Sequence, residues 1–307
     1  MASTATHPTT SFTCKNCGAT TAAVAQGTSL RCPFCGSEHV IAGPDDPEVP
    51  KPEALIPFSF PDTEVERVYR AWLGEGFFRP KDLRDKAVTH KLQAVYVPVW
   101  ECRGRAISRW TATAGYDREV EEQVATTENG KPATQTRTTT VTDWRPAGGQ
   151  HEGEYERVLV SGSKGLPQDW LARLGDYDWG ALVSYRQDFL LGREVELSAL
   201  DRTAALERAK KQIESKERDT CSRLVPGSRH KDLRVDTQVT DLAARLLYLP
   251  AWLAAFGYNG KTYQLVVNGQ SGKVSGEAPV AKGRVAVVIA AIVAVIAVIV
   301  LLTAVLS

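Results

Sequence analysis

The chain has 307 residues, with 37 basic and 36 acidic side chains and a formal net charge of +1. That length supports a real core and one to three domains. The near-zero charge argues against a protein that coats nucleic acid by bulk electrostatics, and 6 cysteines in so long a chain exclude a disulfide-dense secreted scaffold.

The first ten or so residues have neither a basic region nor an apolar core; nothing there directs secretion, and they are expected to be disordered. Residues 1–42 as a whole read as a small zinc ribbon. Cys14-Lys15-Asn16-Cys17-Gly18 and Cys32-Pro33-Phe34-Cys35-Gly36 are two CxxC knuckles with 14 residues between them. Two intervening residues let both sulfurs of a knuckle reach one metal, and the following glycine can take the positive φ of the turn. Four thiolates in two pairs suit tetrahedral Zn2+. The expected ligands of one structural zinc are therefore Cys14, Cys17, Cys32 and Cys35, since a four-Cys site leaves no position open for catalysis. A redox CxxC usually occurs once, near a βαβ pattern, and neither condition holds here. His39 is not needed as a ligand and reads as a surface residue. Lys15 and Arg31 are the only lysine or arginine between Phe12 and Ile41, which is not the basic stripe of a nucleic-acid module.

Residues 43–61 hold six of the 16 prolines together with Asp45, Asp46, Glu48 and Glu53. Proline fixes φ and removes donors, so this stretch reads as an extended acidic spacer that holds the ribbon away from the body. Residues 62–163 read as a first α+β unit. Asp62 can cap a helix to about Leu73 with Val65, Val68, Tyr69 and Trp72 at helical spacing. Strands are expected over Gln93–Trp100, Arg105–Ala112, Glu119–Thr127, Thr134–Trp144 and Tyr155–Val160, with Glu128-Asn129-Gly130-Lys131 turning a long hairpin. The tryptophans read as core or half-buried residues.

Residues 164–281 read as a second unit in the same order. A short helix carries Trp170, Leu171 and Leu174, and a long one capped by Asp201 runs to about Leu224. Strands at Leu233–Val239 and Leu246–Tyr258 follow, then the primed turn Asn259-Gly260, a return strand Lys261–Val267 and the turn Asn268-Gly269-Gln270-Ser271-Gly272. Tyr96-Val97-Pro98-Val99-Trp100 matches Tyr248-Leu249-Pro250-Ala251-Trp252, and each copy leads into glycine plus a base, Gly104-Arg105 and Gly260-Lys261. The parallel context predicts a duplicated unit, and proline inside an apolar strand predicts an edge or a bulge. The fold class expected is a small N-terminal zinc ribbon, an α+β body of helices on antiparallel β-meanders in two repeated units, and one C-terminal transmembrane helix.

That helix falls in residues 282–307. From Val285 to Ser307 there are 23 residues without a charge, of which only Thr303 and Ser307 are not apolar. As a helix this run spans about 34 Å, against a hydrocarbon core of about 30 Å. Lys273, Lys282 and Arg284 precede it, and the positive-inside rule then keeps the body in the cytoplasm. The expectation is a tail-anchored, single-pass protein of the inner membrane with the lipid bilayer as partner through residues 285–307. Ala286, Ala290 and Ala294 recur every four residues, a spacing that lets two such helices approach closely as a homo-oligomer.

The double CxxCG ribbon, Leu249-Pro250-Ala251-Trp252-Leu253-Ala254-Ala255, Gly260-Lys261-Thr262-Tyr263 and Val267-Asn268-Gly269-Gln270-Ser271-Gly272-Lys273-Val274 resemble bacterial TFIIB-type zinc-ribbon, membrane-anchored proteins of uncharacterised function. Members are often labelled primosomal helicase-like on the ribbon alone. The resemblance implies partners in membrane stress or remodelling, of the band-7 or phage-shock type. A helicase needs a GxxxxGK[ST] loop, which this sequence lacks.

Catalytic patterns are thin. Ser161-Gly162-Ser163-Lys164 reads S-x-x-K, without the S-D-N and K-T-G elements such hydrolases use. The 5 histidines have no ligand spacing, and Cys102 and Cys221 read as buried small hydrophobes. The Gly-rich run from Asn268 to Lys273 leads from strand to strand and offers no helix N-terminus for phosphate. The function expected is a non-enzymatic adaptor that recruits a cytoplasmic protein to the membrane. The alternative is a membrane-tethered nucleic-acid-binding protein.

Overall fold

The computed structural model describes residues 9–24, 32, 40–43, 50–89, 92–128, 131–175, 177–190 and 193–306. They form two compact units. Unit 1 comprises residues 1–100, 161–202 and 245–307, and unit 2 comprises residues 101–160 and 203–244. Each unit therefore draws on both halves of the expected duplication.

The N-terminal strands are β1 (Thr9–Cys14), β2 (Thr20–Val24) and β3 (Val40–Gly43), followed by the short β4 (Ala54–Leu55). Thr9 and Thr10, read from sequence as disordered, lie in β1. Helix α1 (Asp62–Gly74) buries Val65, Tyr69 and Leu73 at a spacing of four. Its cap position is Pro61, and Asp62 with Glu64 lies in the first turn, where carboxylates complement the helix dipole. Next come α2 (Leu83–Lys86), β5 (Val88–Thr89), β6 (Gln93–Glu128) and β7 (Lys131–Ser161). The chain continues through α3 (Gln168–Leu174), β8 (Val183–Ser184), β9 (Glu194–Glu196), α4 (Arg202–Leu224), β10 (Arg229–Tyr258), β11 (Lys261–Asn268), β12 (Val274–Gly276) and α5 (Lys282–Leu306).

In unit 1 the strands lie in the order β12-β11-β10-β6-β9-β2-β1-β3, where β10 enters with its residues from 245 and β6 with its residues to 100. The body is mostly sheet, and mixed where antiparallel meanders were expected. Two pairings are parallel, Val95 and Tyr96 with Glu194 and Val195, and Leu247 and Tyr248 with Ala54 and Leu55. Pro98 and Pro250 follow those pairs at the same distance, in strands that are central and not at an edge. After Pro250, β10 pairs antiparallel with β11, from Ala251 opposite Asn268 to Tyr258 opposite Lys261. Each proline thus stands where its strand changes partner, so its missing N–H breaks no ladder bond. Its carbonyl is used: Pro98 accepts from Gly162 N at 3.0 Å, and Pro250 accepts from Gly269 N at 2.9 Å. Asn259 and Gly260, at φ 47° and 74°, make the expected primed turn.

The end of the proline-rich stretch is not a free spacer. Ala54, Leu55 and Ile56 are buried, and Ser59 N and Phe60 N both donate to Gly269 O at 3.1 and 2.9 Å. Phe58 and Phe60 pack on a core of Val65, Tyr69, Leu73, Trp252, Phe256 and Leu265. The turn that receives them needs glycine: a Cβ on Gly269 would lie 2.7 Å from the Phe58 ring. Apolar residues alternating with the prolines carry this packing, which proline content alone conceals.

Unit 2 is built on two periodicities. Along β6 every second residue from Cys102 to Ala114 is buried, the period of a strand with one covered face. Along α4 the buried residues are Ala205, Ala209, Ile213, Glu217 and Cys221, one per turn. Trp110, Ala112 and Ala114 pack with Cys221 and Val225, flanked by Ala147, Leu233 and Val235. Five shorter strands were expected between Gln93 and Val160, yet β6 and β7 run unbroken through their glycines, and β7 pairs with β6. These glycines admit neighbours: a Cβ on Gly104 would meet Leu242 Cδ2 at 3.0 Å, and one on Gly149 would meet Trp110 Cζ2 at 2.8 Å. Asp232 and Asp241 sit at φ 56° and 53° within β10, the left-handed region that strands enter at bulges. Trp144 departs from the core reading. It is 40% exposed, with Lys231 Nζ 4.2 Å from its ring centroid. The expected turn residues Asn129 and Gly130 lie outside the described residues.

These glycine environments separate two substitutions. Gly149→Ala forces a methyl into the Trp110 ring and should cost about 1–3 kcal/mol. Gly257→Ala on β10 meets nothing within 4 Å and should be near neutral; thermal melts of the two full-length variants measure the difference.

Candidate metal centre

β1 ends on Cys14, and the chain turns back at once into β2. Cys14 O accepts from Gly18 N and Cys14 N donates to Ala19 O, both at 2.9 Å. Gly18 has φ +73°, the left-handed conformation expected after a CxxC knuckle. The turn brings Cys17 back toward Cys14, and Cys32 joins them: Cys17 Sγ and Cys32 Sγ are 3.5 Å apart. The three sulfurs all lie within 4.8 Å of one another, with Cys14 and Cys32 buried and Cys17 half-buried. A disulfide would need about 2.05 Å. Sulfurs on a tetrahedral ion at about 2.3 Å stand about 3.8 Å apart, so this triad has the spacing of metal ligands. Three of the four expected ligands are thus brought together and could hold a metal ion. Cys35, like His39, lies outside the described residues.

The strands beside the cysteine cluster continue into the body of unit 1. Thr21 and Ala22 of β2 pair with Glu196 and Val195 of β9, and Leu197 N donates to Thr20 O at 2.8 Å. Lys164 Cδ lies 3.3 Å from where a Cβ on Gly18 would stand. The expectation of a ribbon held away from the body therefore gives way to strand pairing.

Sequence reasoning missed Glu196 beside this centre. It is fully buried, and its Oε1 accepts from Lys164 N and Gly165 N at 3.1 and 3.4 Å. Its Oε2 has no partner among the described residues. Burial pushes the carboxyl up to about 8 against donation from Ser163 and the two amides, and the negative charge of Cys17 acts in the same direction as burial. A three-residue strand carries too little pattern to announce such a residue.

The S-x-x-K pair has local work. Ser161 Oγ donates to Leu166 O at 2.6 Å and accepts from Ser163 N at 3.2 Å, building the turn into α3. The Lys164 side chain extends to Gly18. Cys102 and Cys221 are both buried, and burial followed by the Glu101 charge pushes the Cys102 thiol up to about 11.

Unit 2 holds a polar cluster of its own. Glu217 of α4 accepts from Ser108 Oγ and Tyr155 OH, each at 2.6 Å, and faces His151 Nδ1 at 2.9 Å. Ser108 Oγ also lies 2.9 Å from Thr237 Oγ1. Burial alone would raise this carboxyl; the bonds from Ser108, Tyr155 and His151 outweigh it and hold the carboxyl below its ordinary value. One signal was present in the sequence, a glutamate inside the four-residue stripe of small and apolar residues on α4.

Glu217 gives a signed pH dependence. A carboxyl lowered on folding stabilises the fold above its unfolded pKa, and that contribution disappears as pH falls through the folded pKa. The Glu217→Gln variant should therefore melt below wild type near neutral pH, with the gap closing as pH drops below 4.5, the ordinary value of the group. Ser108→Ala removes one bond to a charged group and should cost about 1.5–3 kcal/mol at neutral pH. For the metal centre, chelation should speed hydrogen exchange at Cys14 N and Gly18 N while Val266 N on β11 stays protected, since only the former depend on the knuckle.

No protein-family model matches the chain, and no solved structure matches it. The chain is similar to the uncharacterized protein YdjG of Bacillus subtilis (strain 168), 23% identical over 239 residues. That alignment covers 76% of this chain, and the chain spans 66% of the length of that relative.

Proposed function

We propose that the chain is a non-enzymatic, membrane-anchored zinc-ribbon adaptor that presents its body to a cytoplasmic protein at the inner membrane. The observation that carries this reading is α5. Its apolar part is long enough to cross a bilayer, and none of its span is buried against protein. A bare helix of that kind leaves lipid as the solvent that satisfies it. Lys282 and Arg284 at its start favour a cytoplasmic side for the preceding residues. Cys14, Cys17 and Cys32, with Cys35 as fourth ligand, hold one structural Zn2+; an ion saturated by four thiolates stabilises the fold and performs no chemistry. Pairing of β2 with β9 supports a ribbon that acts together with the body of unit 1.

The test is affinity capture of the full-length protein in detergent, beside a Cys14→Ser, Cys17→Ser version. About one zinc per chain and a stoichiometric protein partner are expected in the first, and both should be lost in the second. An iron–sulfur spectrum overturns the zinc assignment. Nucleic acid retained at low salt and released at high salt, with no protein partner, overturns the adaptor in favour of the tethered nucleic-acid binder.

A further inference from the structure

The strongest unassigned feature of unit 1 is a pair of phenylalanines between α1 and α2. Phe77 is 67% exposed and Phe78 45%. Their rings make an edge-to-face pair at 5.2 Å. The loop that presents them is held in shape. Gly76 takes φ +106°, a conformation that favours glycine, and Arg79 N donates to Gly76 O at 3.1 Å. The Arg79 guanidinium turns back, donating to Trp72 O and lying 3.8 Å from the Trp72 ring centroid. Two large apolar side chains are thereby fixed outward, at a cost in exposed apolar surface that a monomer in water does not recover.

The same loop is bonded to the start of α5. Phe78 O accepts from Ala281 N at 2.7 Å, and Phe77 O accepts from Arg284 Nη1 at 2.6 Å. The Arg284 guanidinium also lies 5.9 Å from the Phe77 ring centroid. Val280, one residue earlier, is 59% exposed. The pair therefore sits level with the residues at which the apolar helix begins. Lys282 and Arg284 at that helix start, and exposed Lys81 three residues past Phe78, add positive charge.

We propose that Phe77 and Phe78 form a second membrane contact, inserted into the headgroup–acyl boundary of a bilayer containing anionic lipid, beside the point where α5 enters it. The inference rests on the reading of α5 as a membrane span. Apolar side chains with basic neighbours bind at this boundary, about 5–10 Å deep, through burial and attraction to anionic headgroups. Together with α5 this gives the body two points of attachment, which resists rotation about the helix axis in a way that one helix cannot.

The test uses the full-length protein in vesicles of phosphatidylcholine and phosphatidylglycerol, with the phosphatidylcholine brominated either near the glycerol or near the methyl ends of its chains. Bromine quenches tryptophan on contact. Phe77→Trp, with Phe78→Trp as a second variant, adds a tryptophan to the loop, and Ile292→Trp adds one to α5 about 15 Å from Lys282 along the axis. Each increment is read over wild type in the same vesicles and against unbrominated ones. The loop increment should fall about twofold with shallow bromine, as a depth of 5–10 Å requires, and the Ile292→Trp increment should fall with deep bromine. Quenching of Ile292→Trp with none of either loop variant overturns the loop contact, leaves the span intact and points to a protein cover for the phenylalanines. No quenching of Ile292→Trp overturns the span itself.

Discussion

A proline has no amide proton, and the sheet of unit 1 is arranged around that deficit at two places. In a central strand successive residues bond alternately to the neighbours on the two sides, each with its N–H and C=O, so an interior proline leaves a neighbour's carbonyl without a donor. Pro98 and Pro250 avoid this because the two short parallel partners end just before them: β9 pairs as far as Tyr96, and β4 as far as Tyr248. Those brief partners have large consequences. β4 draws the end of the proline-rich stretch into the core. β9 makes the body sheet continuous with the strands that carry the cysteines. Tyr96 and Tyr248 mark the matched positions, with ring centroids 6.3 Å apart.

Local chemistry was legible in the sequence wherever a few adjacent residues determine it. The Cys14–Gly18 knuckle, the Asn259-Gly260 turn, the apolar stripe of α1 and the uncharged run of α5 each follow from spacing alone. Long-range pairing was not. Gly104 and Gly149 look like breaks in a sequence, because nothing local shows that Leu242 or Trp110 will need the space a Cβ would fill. The two Y-x-P-x-W segments are matched in setting, yet they say little about the compact units, because compactness is decided by which distant segments pack together. In the stretch 43–61, proline content outweighed Ala54 and Leu55, which pair with Leu247 and Tyr248, and Phe58 and Phe60, whose backbone and rings meet a turn more than two hundred residues away.

Two buried glutamates show how environment divides one residue type. Glu217 meets two hydroxyl donors and an imidazole, and its charge is stabilised. Glu196 is bonded by the Lys164 and Gly165 amides and by Ser163, its Oε2 has no partner among the described residues, and burial prevails. A buried charge costs several kcal/mol unless it is well bonded, so these opposite outcomes follow from the depth of burial, the oxygen left without a partner on Glu196 and the imidazole facing Glu217. These outcomes could not be read from sequence, since Ser108 reaches Glu217 from β6 and His151 and Tyr155 reach it from β7, all far from it along the chain.

The pairing of β2 with β9 gives the cysteine centre a second physical role. A strand with a neighbour on one side only presents a row of free amides and carbonyls, and such a row templates pairing with other chains. β9 has β6 on one side and β2 on the other. The strands beside the cysteine cluster therefore act as a cover for a sheet margin. Loosening of those strands would open that margin along Val195 and Glu196 to pairing with a second copy of the chain.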